Sequence, residues 1–209
     1  MEFSTWLALF AASWAISISP GAGAVAAMNS GINHGFCHGY WTTAGLILGI
    51  MTQILLVGAG LGAVVATSSL AFELVKWFGV AYLIWLGVSQ WRAPLQAVAL
   101  ERVVGKRVHA GHLIVKGWMI NAVNPKGTVF LLAVVPQFLD LSKPLLGQYL
   151  VIAATLAFTD SVVMAGYTAL ASRLLHLLRK PAHVKLLNRT FGSLFFLAGL
   201  SLSLFRRTP

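Results

Sequence analysis

Six apolar stretches, at about 3–28, 40–66, 71–91, 113–138, 146–172 and 188–205, leave this chain almost nothing with which to face water. A bilayer core of about 30 Å takes roughly 20 apolar residues per helix, and every stretch is near or above that length. Hydrophobic residues make up 58% of the 209 residues, charged ones 10%, and the mean hydropathy is +0.81. Soluble domains run nearer 45–50% apolar and about 25% charged. The pattern predicts an all-α membrane protein of six transmembrane helices with short loops and no separate soluble domain. The first stretch resembles a secretory signal at Ala22-Gly23-Ala24, but it begins with Glu2 instead of a basic region and stays apolar beyond that point, so it is expected to be retained.

Lys and Arg number 15 against 5 Asp and Glu, a net charge of +10. A soluble chain with that balance would suggest nucleic acid; here basic loops set orientation instead, and no nucleic-acid partner is expected. Arg92, Arg102, Lys106, Arg107 and Lys116 fall in one segment, and Arg173, Arg179, Lys180, Lys185 and Arg189 in another. Only Lys76, Lys143, Arg206 and Arg207 lie opposite. The third-to-fourth and fifth-to-sixth loops are therefore expected in the cytoplasm and both termini outside. The single Cys37 excludes an internal disulfide, and His34 and His38 have helical spacing without a third acidic ligand. Neither a metal nor a cofactor is expected.

Short similarities recur along the chain. Ser17-Ile18-Ser19-Pro20-Gly21 pairs with Asn121-Ala122-Val123-Asn124-Pro125-Lys126-Gly127, Ala59-Gly60 with Ala165-Gly166, and Phe78-Gly79 with Phe191-Gly192, at similar offsets. Residues 1–92 then form a first three-helix repeat, 93–112 a cytoplasmic linker and 113–209 a second repeat. An odd number of helices per half requires the halves to be inverted. Inverted repeats with interrupted helices characterise transporters, with the substrate at the repeat interface.

Helices one and four are expected to break at the Ser-Pro-Gly and Asn-Pro-Lys motifs. Ser19 and Asn124 suit N-caps, and Pro20 and Pro125 suit the first helical position. Two such half-helix starts would present free N–H groups and positive dipole ends to a carboxylate or carbonyl; a plain proline kink is the alternative. Lys126, roughly twelve residues into its span, needs a partner or a wet cavity. Asp160 is the only acid deep in a span. The two form either a structural ion pair or a substrate- and proton-binding pair. Gln53, Asn121, Thr159 and Asn29 could line the same cavity or simply bond between helices. Gly21 completes the candidate substrate-binding set of Ser19, Pro20, Gly21, Gln53, Asn121, Asn124, Pro125 and Lys126, with Asp160 for proton coupling. Tyr82, Trp85 and Tyr167 fit packing better than a substrate path, and the glycines at 45, 49, 58, 60 and 62 fit close helix contact.

The run Ser17 to Ala24 with Asn33-His34-Gly35 resembles the opening of the RhtB branch of the LysE exporter superfamily. Lys76 to Gly87, Asn124-Pro125-Lys126, Pro136-Gln137-Phe138, Lys185 to Asn188 and Phe191 to Phe195 continue the resemblance over essentially the whole chain. It implies export of small amino acids or derivatives, such as homoserine, its lactone or threonine, across the bacterial inner membrane, driven by proton entry. Its implied partners are the amino acid, a proton and the bilayer; a homo-oligomer is compatible with it. Many members carry an acid after the glycine corresponding to Gly49; here that residue is Ile50, which places more weight on Asp160. An intramembrane enzyme using Asp160 and Lys126 lacks any accompanying nucleophile or zinc motif, and the repeat favours alternating access over a channel.

Reporter fusions test the orientation. Those after Gln96 and Lys180 are expected in the cytoplasm, and those after Ser69, Ser142 and Pro209 outside. A cytoplasmic C-terminus would break the inverted-repeat argument.

Overall fold

The computed structural model describes residues 1–67, 69–92, 108–140, 142–171 and 181–204, and among these it is helical throughout, with no strand. The elements are α1 (Phe3–Ile18), α2 (Ala22–Gly39), α3 (Trp41–Thr67), α4 (Ser69–Arg92), α5 (Ala110–Ala122), α6 (Pro125–Val134), a 3-10 turn (Val135–Phe138), α7 (Leu145–Ala169) and α8 (Pro181–Leu204). Of the expected linker, 93–112, residues 93–107 lie outside the described residues and α5 already begins at Ala110; Arg173, Arg179 and Lys180 of the second basic segment also lie outside. Its Lys185 and Arg189 lie inside α8, which begins seven residues before the apolar stretch expected from 188.

Trp41–Gly60 and Leu145–Ala169 are each long and apolar enough to cross a membrane, with mean hydropathies of 1.8 and 1.6. α7 runs unbroken because Gln148 to Ala165 contains neither Gly nor Pro. The α1–α2 pair bends by 58° and the α5–α6 pair by 52°; each would cross if its two parts form one span. Large apolar side chains such as Leu55 at 73%, Leu56 at 67% and Val123 at 78% exposure point outward. That outer surface suits lipid, since water-soluble proteins rarely expose such contiguous apolar area.

Several helix pairs approach at backbone distance, among them α2 and α7, where Gly31 lies against the Thr168 carbonyl. Gly45 of α3 lies against the Ile114 carbonyl of α5, and Gly117 of α5 lies against the Thr42 carbonyl of α3. A Cβ on Gly49 would stand 2.6 Å from that of Asn121. In α4 and α8, Gly87 and Gly192 face each other's carbonyls in the same way. Lipid supplies no hydrophobic drive between helices, so small residues that let backbones approach are the main source of packing. Gly60, by contrast, meets nothing within 4 Å. Within α2, Gly35 adopts φ 72°, which an L side chain rarely takes, and the helix kinks there before Tyr40.

One apolar cluster, including Leu9, Ile54, Phe130, Leu131, Ile152 and Leu156, joins α1, α3, α6 and α7. It fills one end of the structure and leaves the polar residues of the two breaks next to it.

Gly117→Ala is expected to destabilise the detergent-extracted protein by about 1–3 kcal/mol, because its methyl must displace backbone. Gly60→Ala should stay within about 0.5 kcal/mol. Thermal unfolding of the two variants checks the contrast.

Candidate functional site

Proline removes one backbone donor, and each break leaves carbonyls that hydrocarbon cannot satisfy. At the second break, Pro125 cannot donate to the Asn121 carbonyl four residues back. The Asn124 backbone N–H reaches that carbonyl at 3.0 Å, and the Gln53 amide of α3 adds a second donor to it at 2.7 Å and one at 3.0 Å to the Asn124 carbonyl, which also accepts from the Thr128 N–H. The amide also reaches the Thr128 hydroxyl at 2.9 Å, so two hydrogens are shared among three acceptors. Gln53 is 1% exposed, and its Oε1 has no partner among the described residues. Tyr82 of α4 donates to the Pro125 carbonyl at 3.3 Å.

At the first break the donors come from the other half of the chain. The Tyr167 hydroxyl of α7 donates to the Ile18 carbonyl at 2.6 Å, and the Lys126 ammonium donates to the Ser19 carbonyl at 2.7 Å. The two breaks are thereby tied to each other through Lys126.

The two helix starts differ. At α6 the expected arrangement holds: Asn124 is the N-cap, its Oδ1 accepts from the Lys126 backbone N–H at 3.1 Å, and Pro125 is the first helical residue. At α2 it does not. Ser19 ends α1 as its C-cap, Pro20 and Gly21 intervene, and Gly21 is the N-cap without a side-chain bond. Ser19 and Gly21 both hold extended backbone, so the helix cannot start until Ala22 and the serine sits too far back to cap it. The first-turn N–H groups of α2 are left without an intrahelical acceptor or a side-chain cap.

Those N–H groups border a small cavity, about 60 Å³, where the breaks meet α3 and α7. Of the sequence-derived candidates, Ser19, Gly21, Asn121, Asn124, Lys126 and Asp160 line it. Pro20 and Pro125 do not, and Gln53 acts from behind on the backbone. Thr159 bonds to carbonyls of its own helix, and Asn29 lies elsewhere. Asp160 is buried at 8% exposure and the Ser17 hydroxyl faces its carboxylate. The Ser19 hydroxyl, 3% exposed, has no partner among the described residues.

Lys126 and Asp160 share the cavity but, among the described residues, no direct ion pair joins them. The ammonium donates instead to the Ser19 carbonyl and lies 5.9 Å from the Phe195 ring centroid. An ammonium has three donors, so Lys126 keeps capacity for a further acceptor. Ile50, at the position where the family resemblance implies an acid, also lines the cavity. Ser17 and Phe195 carry no assigned role from the sequence, and Tyr167, expected there to pack, donates to the Ile18 carbonyl. Ser17 was quoted only as part of a motif, and only the fold brings it to Asp160. Outside the cavity, Asp140 and Lys143 pair at 2.9 Å in the loop before α7, where the Ser142 and Lys143 contacts hold the Asp140 carboxyl down at about 2.

The LysE type translocator family matches residues 14–205, and the chain belongs to it. A homoserine/homoserine lactone efflux protein of Salmonella typhimurium is 43% identical over 97% of this chain and 98% of its own. An uncharacterized membrane protein of Vibrio cholerae is 40% identical over 97% and 98%. A leucine efflux protein of an Enterobacter species is 28% identical over 72% and 71%. No solved structure matches.

Gln53→Leu removes the side-chain donor from the Asn121 and Asn124 carbonyls and leaves them their backbone N–H donors. It should lower stability by about 0.5–1.5 kcal/mol, the net contribution of a hydrogen bond whose acceptors keep another donor. Thermal unfolding of inserted, extracted protein checks it; an unchanged midpoint would mean the break does not depend on that amide.

Proposed function

We propose that this LysE-family translocator exports homoserine, homoserine lactone or a similar small neutral amino acid, such as threonine, across the bacterial inner membrane by proton antiport. The relatives' names support the substrate class. The observation that carries the mechanism is one cavity holding two helix breaks, a cation and an acid. The proposed architecture is six spans in two inverted halves, with residues 93–112 as the cytoplasmic linker. α1–α2 and α5–α6 each count as one broken span. α4 and α8, 24 residues each, supply the two spans beyond α3 and α7. At 1.5 Å per residue, 24 residues reach about 36 Å, enough for the hydrocarbon core.

Substrate binding then follows from complementary charge. The uncapped start of α2, the Ser19 hydroxyl and the Lys126 ammonium offer donors and positive potential to a carboxylate or a lactone carbonyl. Asn121 and Asn124 border the same space, but their amides are spent on the backbone and on each other: Asn121 Nδ2 donates to the Leu46 carbonyl at 2.7 Å and Asn124 Nδ2 to Asn121 Oδ1 at 3.3 Å. They shape the site more than they grip the ligand. At the other side, Asp160 with Ser17 holds the substrate ammonium.

Coupling is a competition at one carboxylate. Ionised Asp160 retains the ammonium; once protonated, it no longer attracts it. Amino acid and proton therefore cannot both be fully bound there, and proton entry on one side drives release of cargo on that side. Alternating access between the two inverted halves would expose the site to each face in turn.

Expression in a homoserine-sensitive bacterium should raise tolerance to external homoserine and lower its intracellular accumulation. No change in either would count against this substrate class. In proteoliposomes, Asp160→Asn should preserve insertion while export loses its response to an imposed pH gradient, because an amide cannot titrate near neutrality. Replacing Lys126 with Met and Asp160 with Leu together should abolish export from normally inserted protein. Gradient-driven transport by that double variant would overturn the coupling proposed here.

A further inference from the structure

About one helical turn along α2, α3 and α5 from the central cavity lies a second, larger one of about 410 Å³. The offset is visible on each helix: Asn29 beyond Ala24, Thr42 before Leu46, and Lys116 before Asn121. Its polar wall includes Asn29, Asn33, His34, Thr42, His112 and Lys116. Among the described residues no Asp or Glu lines it.

The walls are fixed to one another. Ser30 and Thr42 share a 2.5 Å hydroxyl bond between α2 and α3, and the His38 ring contacts the Val108 carbonyl beside the start of α5 at 2.5 Å. Asn33 donates to the Asn29 side chain at 2.5 Å and to its carbonyl at 3.0 Å. The cavity is therefore built from three helices with cross-links between them. At the far end the apolar cluster of Leu9, Ile54, Phe130, Leu131, Ile152 and Leu156 packs α1, α3, α6 and α7 together. The basic segment containing Lys116 places the cavity's end in the cytoplasm under the proposed orientation.

We infer that this second cavity is a loading vestibule that captures the amino acid by its carboxylate, with Lys116 as the specificity-determining contact. The inference rests on the export reading. Lys116 supplies a full positive charge and three donors, while the His34 and His112 rings add further nitrogen groups that can donate. Among the described residues no carboxylate in the wall competes for Lys116 or offers an ammonium an opposite charge. A zwitterion is therefore taken by its carboxylate end, and a molecule without a free carboxylate gains nothing from Lys116. The central cavity, with its acid, takes hold of the ammonium only afterwards. Selection by carboxylate is thereby separated in space from the proton-sensitive step.

Inside-out membrane vesicles containing the full chain present the cytoplasmic face to the medium and allow both cargoes to be compared. Uptake of radiolabelled homoserine and of homoserine lactone is measured under an imposed pH gradient, per inserted protein, for the wild type, Lys116→Gln and Lys116→Arg. Lys116→Gln should raise the half-saturating homoserine concentration about fivefold, the scale expected for one partly solvated charge contact. The lactone value should move less than about twofold by the same reasoning, and Lys116→Arg should restore the homoserine value. Wild-type transport of homoserine with no change in Lys116→Gln overturns the vestibule, as does an equal shift for both cargoes, which would mean a general change in structure or surface charge. Wild-type vesicles that move neither cargo overturn the export reading itself, and this inference with it.

Discussion

A backbone carbonyl without a donor costs several kcal/mol in hydrocarbon, and this structure contains two places where proline creates that problem. Its solution organises the rest. The carbonyls at the second break gain side-chain donors from Gln53 of α3 and Tyr82 of α4 beside the local N–H groups of Asn124 and Thr128. Those at the first are met by Tyr167 from α7 and Lys126 from α6. Each side-chain donor comes from a different helix, so the breaks can exist only while the surrounding helices hold their positions. The glycine contacts between α3 and α5 bring Gln53 to its acceptors by letting the two backbones approach closely.

The two breaks are satisfied differently, and the difference bears on function. The α6 start is closed by its own Asn124 cap, whereas α2 starts at Gly21 with no side-chain cap. Uncapped N–H groups, a Ser19 hydroxyl without a partner among the described residues and the Lys126 ammonium therefore converge on one small space. Lys126 is both a structural donor and a wall of that space, so the structural and binding roles considered from sequence do not exclude one another. Asp160, held apart from it, is free of the tight ion pair that would neutralise both groups.

Much of this was legible in the sequence because it depends on local rules. Apolar length located α3, α4 and α7 to within a few residues, and the Asn-Pro-Lys motif located the start of α6 and its cap. The Ser-Pro-Gly motif was misread by two residues, since Pro20 and Gly21 are both compatible with extended backbone and no local preference says which begins the helix. Lys126 and Asp160 stood out because charge in a span is expensive. Their separation was not legible, because it depends on Lys126 finding a carbonyl more than a hundred residues away. The same holds for Ser17 beside Asp160 and for Tyr167 at Ile18: ordinary helix residues whose roles come from what packs against them. Gln53 was singled out as polar in a span, but its task of adding a donor at the second break follows only from its position.

The central claim is that the two breaks enclose the transported molecule, and accessibility at Ser19 tests it most directly. In a protein with the exposed Cys37 replaced by serine, a cysteine is introduced by Ser19→Cys or, as a lipid-facing control, by Leu55→Cys. Labelling by a small thiol reagent is then followed with and without saturating homoserine. The account predicts that homoserine slows labelling at position 19 and leaves position 55 unchanged. Unaltered labelling at position 19, in a variant that still transports homoserine, would contradict it.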